Sequence, residues 1–240
     1  VADIYEAHRK WGERFQQQVA AFSDWDGIDF REQRRLRLGY ISADFCDHPV
    51  AFFAQSLLEH FSDDRFELFV FDSTASADAS SDRLKQMIPA ANWHRIRGMP
   101  AKAVADLIRS KSVDMLVDLG GHTADNRLDV MALKPAPLQF TYIGYGNTTG
   151  LSTVDYLITD AIVDPVDTRQ PFVEELLRIP GCHLCFTPPR SLPAQRIEGK
   201  QDRSITFGSF SNLAKTSDDC LNVWAKVLQA VPRSRLLLKS

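Results

Sequence analysis

Four short stretches of this sequence hold side chains that can do chemistry, and each follows an apolar run. In SADFCDHP, residues 42–49, His48 stands directly before Pro49. A residue before proline is pushed out of the helical region, and proline suits the first helical turn. The pair therefore places His48 at a helix N-cap, where the helix dipole disfavours imidazolium and keeps the ring neutral. A neutral imidazole can take a proton from a hydroxyl; it can equally serve as a cap or a packing group. Asp44 and Asp47 can orient the ring or oppose that shift. In DLGGHT, residues 118–123, the glycine pair lets backbone come close to a ligand. His122 and Thr123 can then hydrogen-bond a sugar or a phosphate, the plainer reading being a tight turn with a surface histidine. GYGNTTG, residues 144–150, is either a cradle for anions and hydroxyl groups or a flexible loop. It matches neither the dinucleotide fingerprint nor the P-loop. In GSFSNLAK, residues 208–215, Lys215 lies just before a helix opened by Ser217 and Asp218. A lysine there can meet a diphosphate, or simply lie on the surface.

These loops need elements to hold them. Ile4, Trp11, Phe15, Val19 and Phe22 recur at helical steps, which predicts an amphipathic helix over residues 1–22. Arg31, Arg34, Arg35 and Arg37 follow, as a solvated linker or a phosphate patch. From Leu36 the period changes. LRLGYIS, FELFVFDST, WHRIR, DMLVDLGG, PLQFTYIG, DYLITD and ELLRIP read as strands. Between them VAFFAQSLLEHF, SSDRLKQMI, AKAVADLIRSKS and DNRLDVMALK read as helices. Alternation of this kind predicts βαβ units and a parallel sheet, and continuous apolar strands fit a sheet covered on both faces. In such sheets ligands sit at the carboxyl ends of the strands, where all four loops fall. Residues 187–203 are rich in proline and charge and read as a linker. Beyond them ITFGSF, DDCLNVWAKVLQAV and RLLLKS give one further βαβ unit, which cannot bury its own faces. The expected organisation is an N-terminal helix and linker over 1–32, a Rossmann-like lobe over 33–186, a linker over 187–203, and the start of a second α/β lobe over 204–240, inside which the chain stops.

Composition sets the outer bounds. Apolar residues make up 44% and charged residues 25%, the balance of an ordinary globular chain. A net charge of −3 gives no electrostatic reason to expect nucleic acid or an anionic membrane as partner. There is no apolar run of transmembrane length and no signal-peptide layout at the start. Four cysteines are ordinary for a reducing compartment such as the cytoplasm. Cys182 and Cys185, in C-H-L-C, lack a second pair at zinc spacing and read as two small strand-end residues, so no metal site is expected.

SADFCDHP, the block DLGGHTADNRLDVMALKPAPLQFTYIGYGNTTGLSTVDYLITD, and TFGSFSNLAK together resemble the catalytic region of the protein O-linked N-acetylglucosamine transferases, in the bacterial form of their SPINDLY branch. The resemblance covers nearly the whole chain. It implies a GT-B glycosyltransferase, with two Rossmann-like lobes, no metal and no cofactor beyond a nucleotide-sugar co-substrate. It implies inverting transfer of N-acetylglucosamine from UDP-GlcNAc to Ser or Thr hydroxyls of a protein acceptor. GDP-fucose as donor and a non-catalytic binding module of the same fold stand as alternatives, as does a GT-B enzyme for small acceptors. His48 matches the family's histidine beside the reacting centre, as base, relay or positioning group. Lys215 matches the lysine that neutralises the departing diphosphate. His122, Thr123, Gly144, Gly146, Thr148 and Asn212 match the donor-sugar and substrate-binding positions. Gly146 stands where the family loop usually has proline, which loosens that loop. Tetratricopeptide repeats are expected upstream, joined through IYEAHRKWGERF.

Overall fold

The computed structural model describes residues 2–25, 34–188, 204–211 and 213–239. Asn212, Arg31 and most of the expected linker, residues 189–203, lie outside the described residues. The chain divides into two units, residues 1–190 and 191–240.

The first unit is built on seven parallel strands. They are β1 (Leu36–Ser42), β2 (Phe66–Asp72), β3 (Trp93–Arg95), β4 (Met115–Asp118), β5 (Leu138–Thr141), β6 (Tyr156–Asp160) and β7 (Glu175–Ile179), in the order β3-β2-β1-β4-β5-β6-β7. Side chains alternate between the two faces. Ile41, Phe69, Phe71 and Leu116 enter one core; Tyr40, Leu68, Val70 and Val117 enter the other. Both faces are therefore covered, which is why the strands carry no polar alternation. The strand order reverses between β1 and β4, paired with Ile41 opposite Asp118. That switch point is where an open α/β sheet leaves a crevice.

The helices depart from the sequence reading in two places. The first, α1 (Ala2–Gln16), stops six residues before the apolar periodicity does. Phe15, Val19 and Phe22 still pack on the core, but beyond the helix the backbone is irregular, and Phe22 N donates to Leu133 O at 2.9 Å. Next come α2 (Pro49–Glu59), α3 (Ala79–Lys85), α4 (Ala101–Ser110) and α5 (Leu128–Met131). The last is a single turn rather than the expected ten-residue helix. Asp125 at φ 55° and Lys134 at φ 52° bound it, and Pro135 follows directly. β5–β6 and β6–β7, between which the sequence reading places no helix, are joined by irregular crossovers of residues 142–155 and 161–174.

The second unit has β8 (Thr206–Ser209) parallel to β9 (Arg235–Leu238), joined through α6 (Asp218–Ala230). Ser217 caps α6, accepting from Cys220 N at 3.3 Å.

Candidate active site

The loops after β1 and β4 meet at the switch point. His48 is the N-cap of α2, extended at φ −140° and ψ 147°, with Pro49 in the first turn. Its Nδ1 accepts from Val50 N at 3.3 Å. The side chain remains 42% exposed, so a ring edge is open to solvent. Nδ1 also lies 3.7 Å from Asp44 Oδ2. That oxygen is shut off from solvent and has no hydrogen-bond partner among the described residues. Burial pushes the Asp44 carboxyl up, while the neighbouring His48 opposes the rise. A buried acceptor left without a donor costs about 1–3 kcal/mol, and more when charged; a lost cap costs about 0.5–2 kcal/mol.

Asp118, at the end of β4, is fully enclosed and pushed up to about 6 by burial. It accepts from Gly120 N at 3.2 Å, Gly121 N at 2.7 Å and Thr141 Oγ1 at 3.2 Å, all of which favour the charged form. Burial outweighs those three bonds. Gly121 sits at φ 55°, and a Cβ there would meet the Tyr145 side chain at 2.5 Å. The GG turn thus wraps a carboxylate, and the sequence reading, drawn to His122, does not single it out.

His122 is not a surface histidine. Its ring stacks on His8 of α1 at 4.1 Å, meets Trp11 edge-on at 4.8 Å, and Nε2 bonds Thr149 O at 2.7 Å. Desolvation lowers its basicity. Thr123 closes the turn, with its N donating to Gly120 O at 3.3 Å. Helix α1 reaches the glycine loop through a glycine pair: a Cβ on Gly12 would lie 1.9 Å from Gly150 O.

In the glycine loop, Gly144 must be glycine, because a Cβ would lie 2.0 Å from Leu119 O. The residue before it, Ile143, is held at φ 66° in a γ-turn closed by Gly144 N to Tyr142 O at 2.9 Å. Gly146 is exposed, and a Cβ there would meet nothing within 4 Å, so no close approach requires glycine. Thr148 corrects the sequence reading. It is fully buried, its Oγ1 donating to Glu174 Oε2 at 2.6 Å and accepting from Gly150 N and Val173 N at 3.1 Å each. It braces the loop instead of facing a ligand. Glu174, also bonded by Thr149 N at 2.7 Å, is the buried anchor of this loop, and no local sequence pattern marks it.

Two other sequence features prove structural. Arg34 forks onto Asp114 at 2.7 Å, Arg35 holds Asp63 at 2.8 Å, and Arg37 holds Glu67 at 3.2 Å. These pairs sit at the amino ends of β1 and β2, away from the switch point. The C-H-L-C stretch lies beyond β7 instead of at a strand end. His183 Nδ1 contacts Asp160 Oδ2 at 2.6 Å, and its backbone N–H donates to the same oxygen at 2.9 Å. Those bonds hold the Asp160 carboxyl well below the usual range. Cys185 Sγ donates to Phe53 O at 3.7 Å, and Phe186 packs on Phe52 and Phe53, tying the segment to α2. In the second unit, Lys215 ends a single 3₁₀ turn, Leu213–Lys215, immediately before the capped start of α6, and is exposed.

Residues 20–186 match the profile of Glycosyl transferase family 41. The chain belongs to that family. Over 239 residues, 98% of its length, it is 44% identical to the probable UDP-N-acetylglucosamine–peptide N-acetylglucosaminyltransferase SPINDLY of Arabidopsis thaliana. It is 29% identical over 214 residues to the probable enzyme of the same class named SEC from that plant, covering 85% of this chain and 22% of SEC. The chain spans about a quarter of SPINDLY, 26% of its length. Among solved structures it resembles a mutant of the Thermobaculum terrenum O-GlcNAc transferase, with a TM-score of 0.89 and 30% identity, covering 98% of this chain and 44% of that one. No helix among the described residues is long and apolar enough to cross a membrane.

Proposed function

We propose that this family 41 chain is the acceptor-side part of an inverting protein O-glycosyltransferase that moves N-acetylglucosamine from UDP-GlcNAc to Ser or Thr hydroxyls. The observation that carries the reading is His48 at the cap of α2, its ring edge open at the sheet's switch point. Inverting transfer needs the acceptor oxygen to bond the anomeric carbon as the bond to the diphosphate breaks, with that electron pair leaving on the diphosphate. The acceptor hydroxyl loses its proton, which His48 takes directly or through a relay. Lys215, beside the start of α6, supplies a compact positive charge for the departing diphosphate, so no metal is needed. Glu174, Gly144 and the α1 helix hold the glycine loop in shape. The full protein acts on cytoplasmic proteins, presented by tetratricopeptide repeats upstream.

The test is transfer by the full-length protein, offered labelled UDP-GlcNAc or GDP-fucose with a Ser/Thr-rich acceptor. Label moving from UDP-GlcNAc with inverted configuration supports the reading. Transfer from GDP-fucose alone replaces the donor, and transfer from neither overturns the assignment.

A further inference from the structure

His48 Nδ1 is asked to do two incompatible things. As the cap of α2 it accepts from Val50 N, which requires a bare nitrogen. In a neutral imidazole the hydrogen then sits on Nε2, the nitrogen left to face the crevice. An Nε2–H donates; it cannot take a proton from an acceptor hydroxyl. Yet the same Nδ1 lies 3.7 Å from Asp44 Oδ2, an oxygen sealed from water and lacking a donor among the described residues. Asp44 is otherwise fixed, its N–H donating to Ser42 Oγ at 3.0 Å, and its side chain is only 15% exposed.

We infer that Asp44 is the positioning residue for His48, drawing the hydrogen onto Nδ1 and leaving Nε2 bare toward the crevice. A modest rotation about the imidazole's Cβ–Cγ bond closes the gap, and that torsion is soft. Val50 N, released from the cap, sits in the first helical turn, where water readily replaces a side chain. The sealed carboxylate oxygen has no such substitute, so the Asp44-bonded arrangement is favoured. The charges nearest Asp44 around this corner are carboxylates: Asp125 beyond β4 acts on Asp44, Asp118 at the end of β4 is itself raised by Asp44, and Asp47, Asp72 and Asp78 surround Cys46. Two arginines also stand here, Arg97 at 3.6 Å from Asp125 and Arg95 at 2.9 Å from Asp72. Among the described residues none of these is reached by a hydrogen bond from the His48 ring, which leaves Asp44 as the orienting group.

The inference rests on the transferase reading for its use, but it is tested without turnover. Two-bond ¹H–¹⁵N spectra of the ¹⁵N-labelled 240-residue chain report which ring nitrogen of His48 carries hydrogen. Above the pH at which the ring titrates, the parent is expected to show Nδ1–H and a bare Nε2. Asp44→Asn should move the hydrogen to Nε2, because the amide donates where the carboxylate accepted. Asp44→Glu should keep the parental pattern. A parent ring with Nε2–H, or an Asp44→Asn ring indistinguishable from the parent, overturns the inference. The parent spectrum alone decides even where a variant fails to fold. In the full-length protein Asp44→Asn should lower kcat by roughly 10²-fold or more with the donor KM unchanged. Normal turnover by His48→Ala would instead sink the role of His48 in transfer, and leave the Asp44 pairing standing.

Discussion

A carboxylate with no water around it must take its stabilisation from neighbours, and at Asp118 three donors fall short of what burial costs. The folded protein therefore keeps a proton on Asp118 up to about pH 6, whereas an unfolded chain releases it near 3.8. Between those values the native state binds more protons, so this residue's contribution to stability is full below about pH 4 and is lost as pH rises through 6. The difference corresponds to about 3 kcal/mol. Subtracting the unfolding free energy of Asp118→Asn from that of the parent, by denaturant titration at each pH, should give a curve that falls across this window and flattens above it. A flat difference would show that Asp118 is ionised throughout. Lys215, which is exposed, should respond differently, in turnover and not in stability. On the proposed function, Lys215→Ala in the full-length protein should lose on the order of 10²–10³ in kcat, because one fixed cation facing a developing charge is worth that much. Arginine at the same position should restore only part of it, since a planar fork does not replace a compact ammonium. Parental turnover by Lys215→Ala would remove it from the leaving-group role.

Helix α1 is the element whose purpose the sequence conceals. Its apolar spacing is legible, but its target is not, because Gly12, His8 and Trp11 meet Gly150 and His122, which are remote in sequence. Glycine in mid-helix costs roughly 0.5–1 kcal/mol against alanine. Propensity alone thus makes Gly12→Ala stabilising. The backbone contact makes it destabilising, since the new Cβ would lie 1.9 Å from Gly150 O and force helix and loop apart. Overpacking of this kind typically costs about 1–3 kcal/mol, so the clash should win. Thermal unfolding should show a lowered midpoint, with faster proteolysis within residues 2–25 and a shifted His122 resonance as the His8 stack opens. A raised midpoint would mean that α1 docks loosely. The strands are readable for the opposite reason: each is a local apolar run bounded by turn residues, and nothing distant decides it. The crossovers before β6 and β7 are not, because a parallel connection usually announces itself by a helix and these have none. Thr148 reads as a ligand hydroxyl because its partner, Glu174, stands in the next crossover, and no spacing rule links the two.

At the scale of the molecule, the two units differ in what they can bury. In the first, helices cover both faces of seven strands, and residues such as Ile41, Val70, Phe71 and Leu116 are wholly enclosed. In the second, none of the described residues 204–239 is buried. Phe210 is 73% exposed, Val223 56% and Leu237 56%, although each belongs to a run with the apolar character of a core. Two strands are too few to stand alone, and a helix of 13 residues, α6, is marginal without a packed face. Local opening free energy follows buried apolar contact, so the units should open separately. Amide hydrogen exchange of this chain should show β1 and β4 protected up to the free energy of global unfolding, and β8, α6 and β9 exchanging orders of magnitude faster. Lys215 sits directly before α6, so its geometry is only as fixed as that helix. Whatever packs on α6 should raise its protection and fix the lysine together. Protection of α6 equal to that of β1 in the isolated chain would show that this unit finds its stability without further partners.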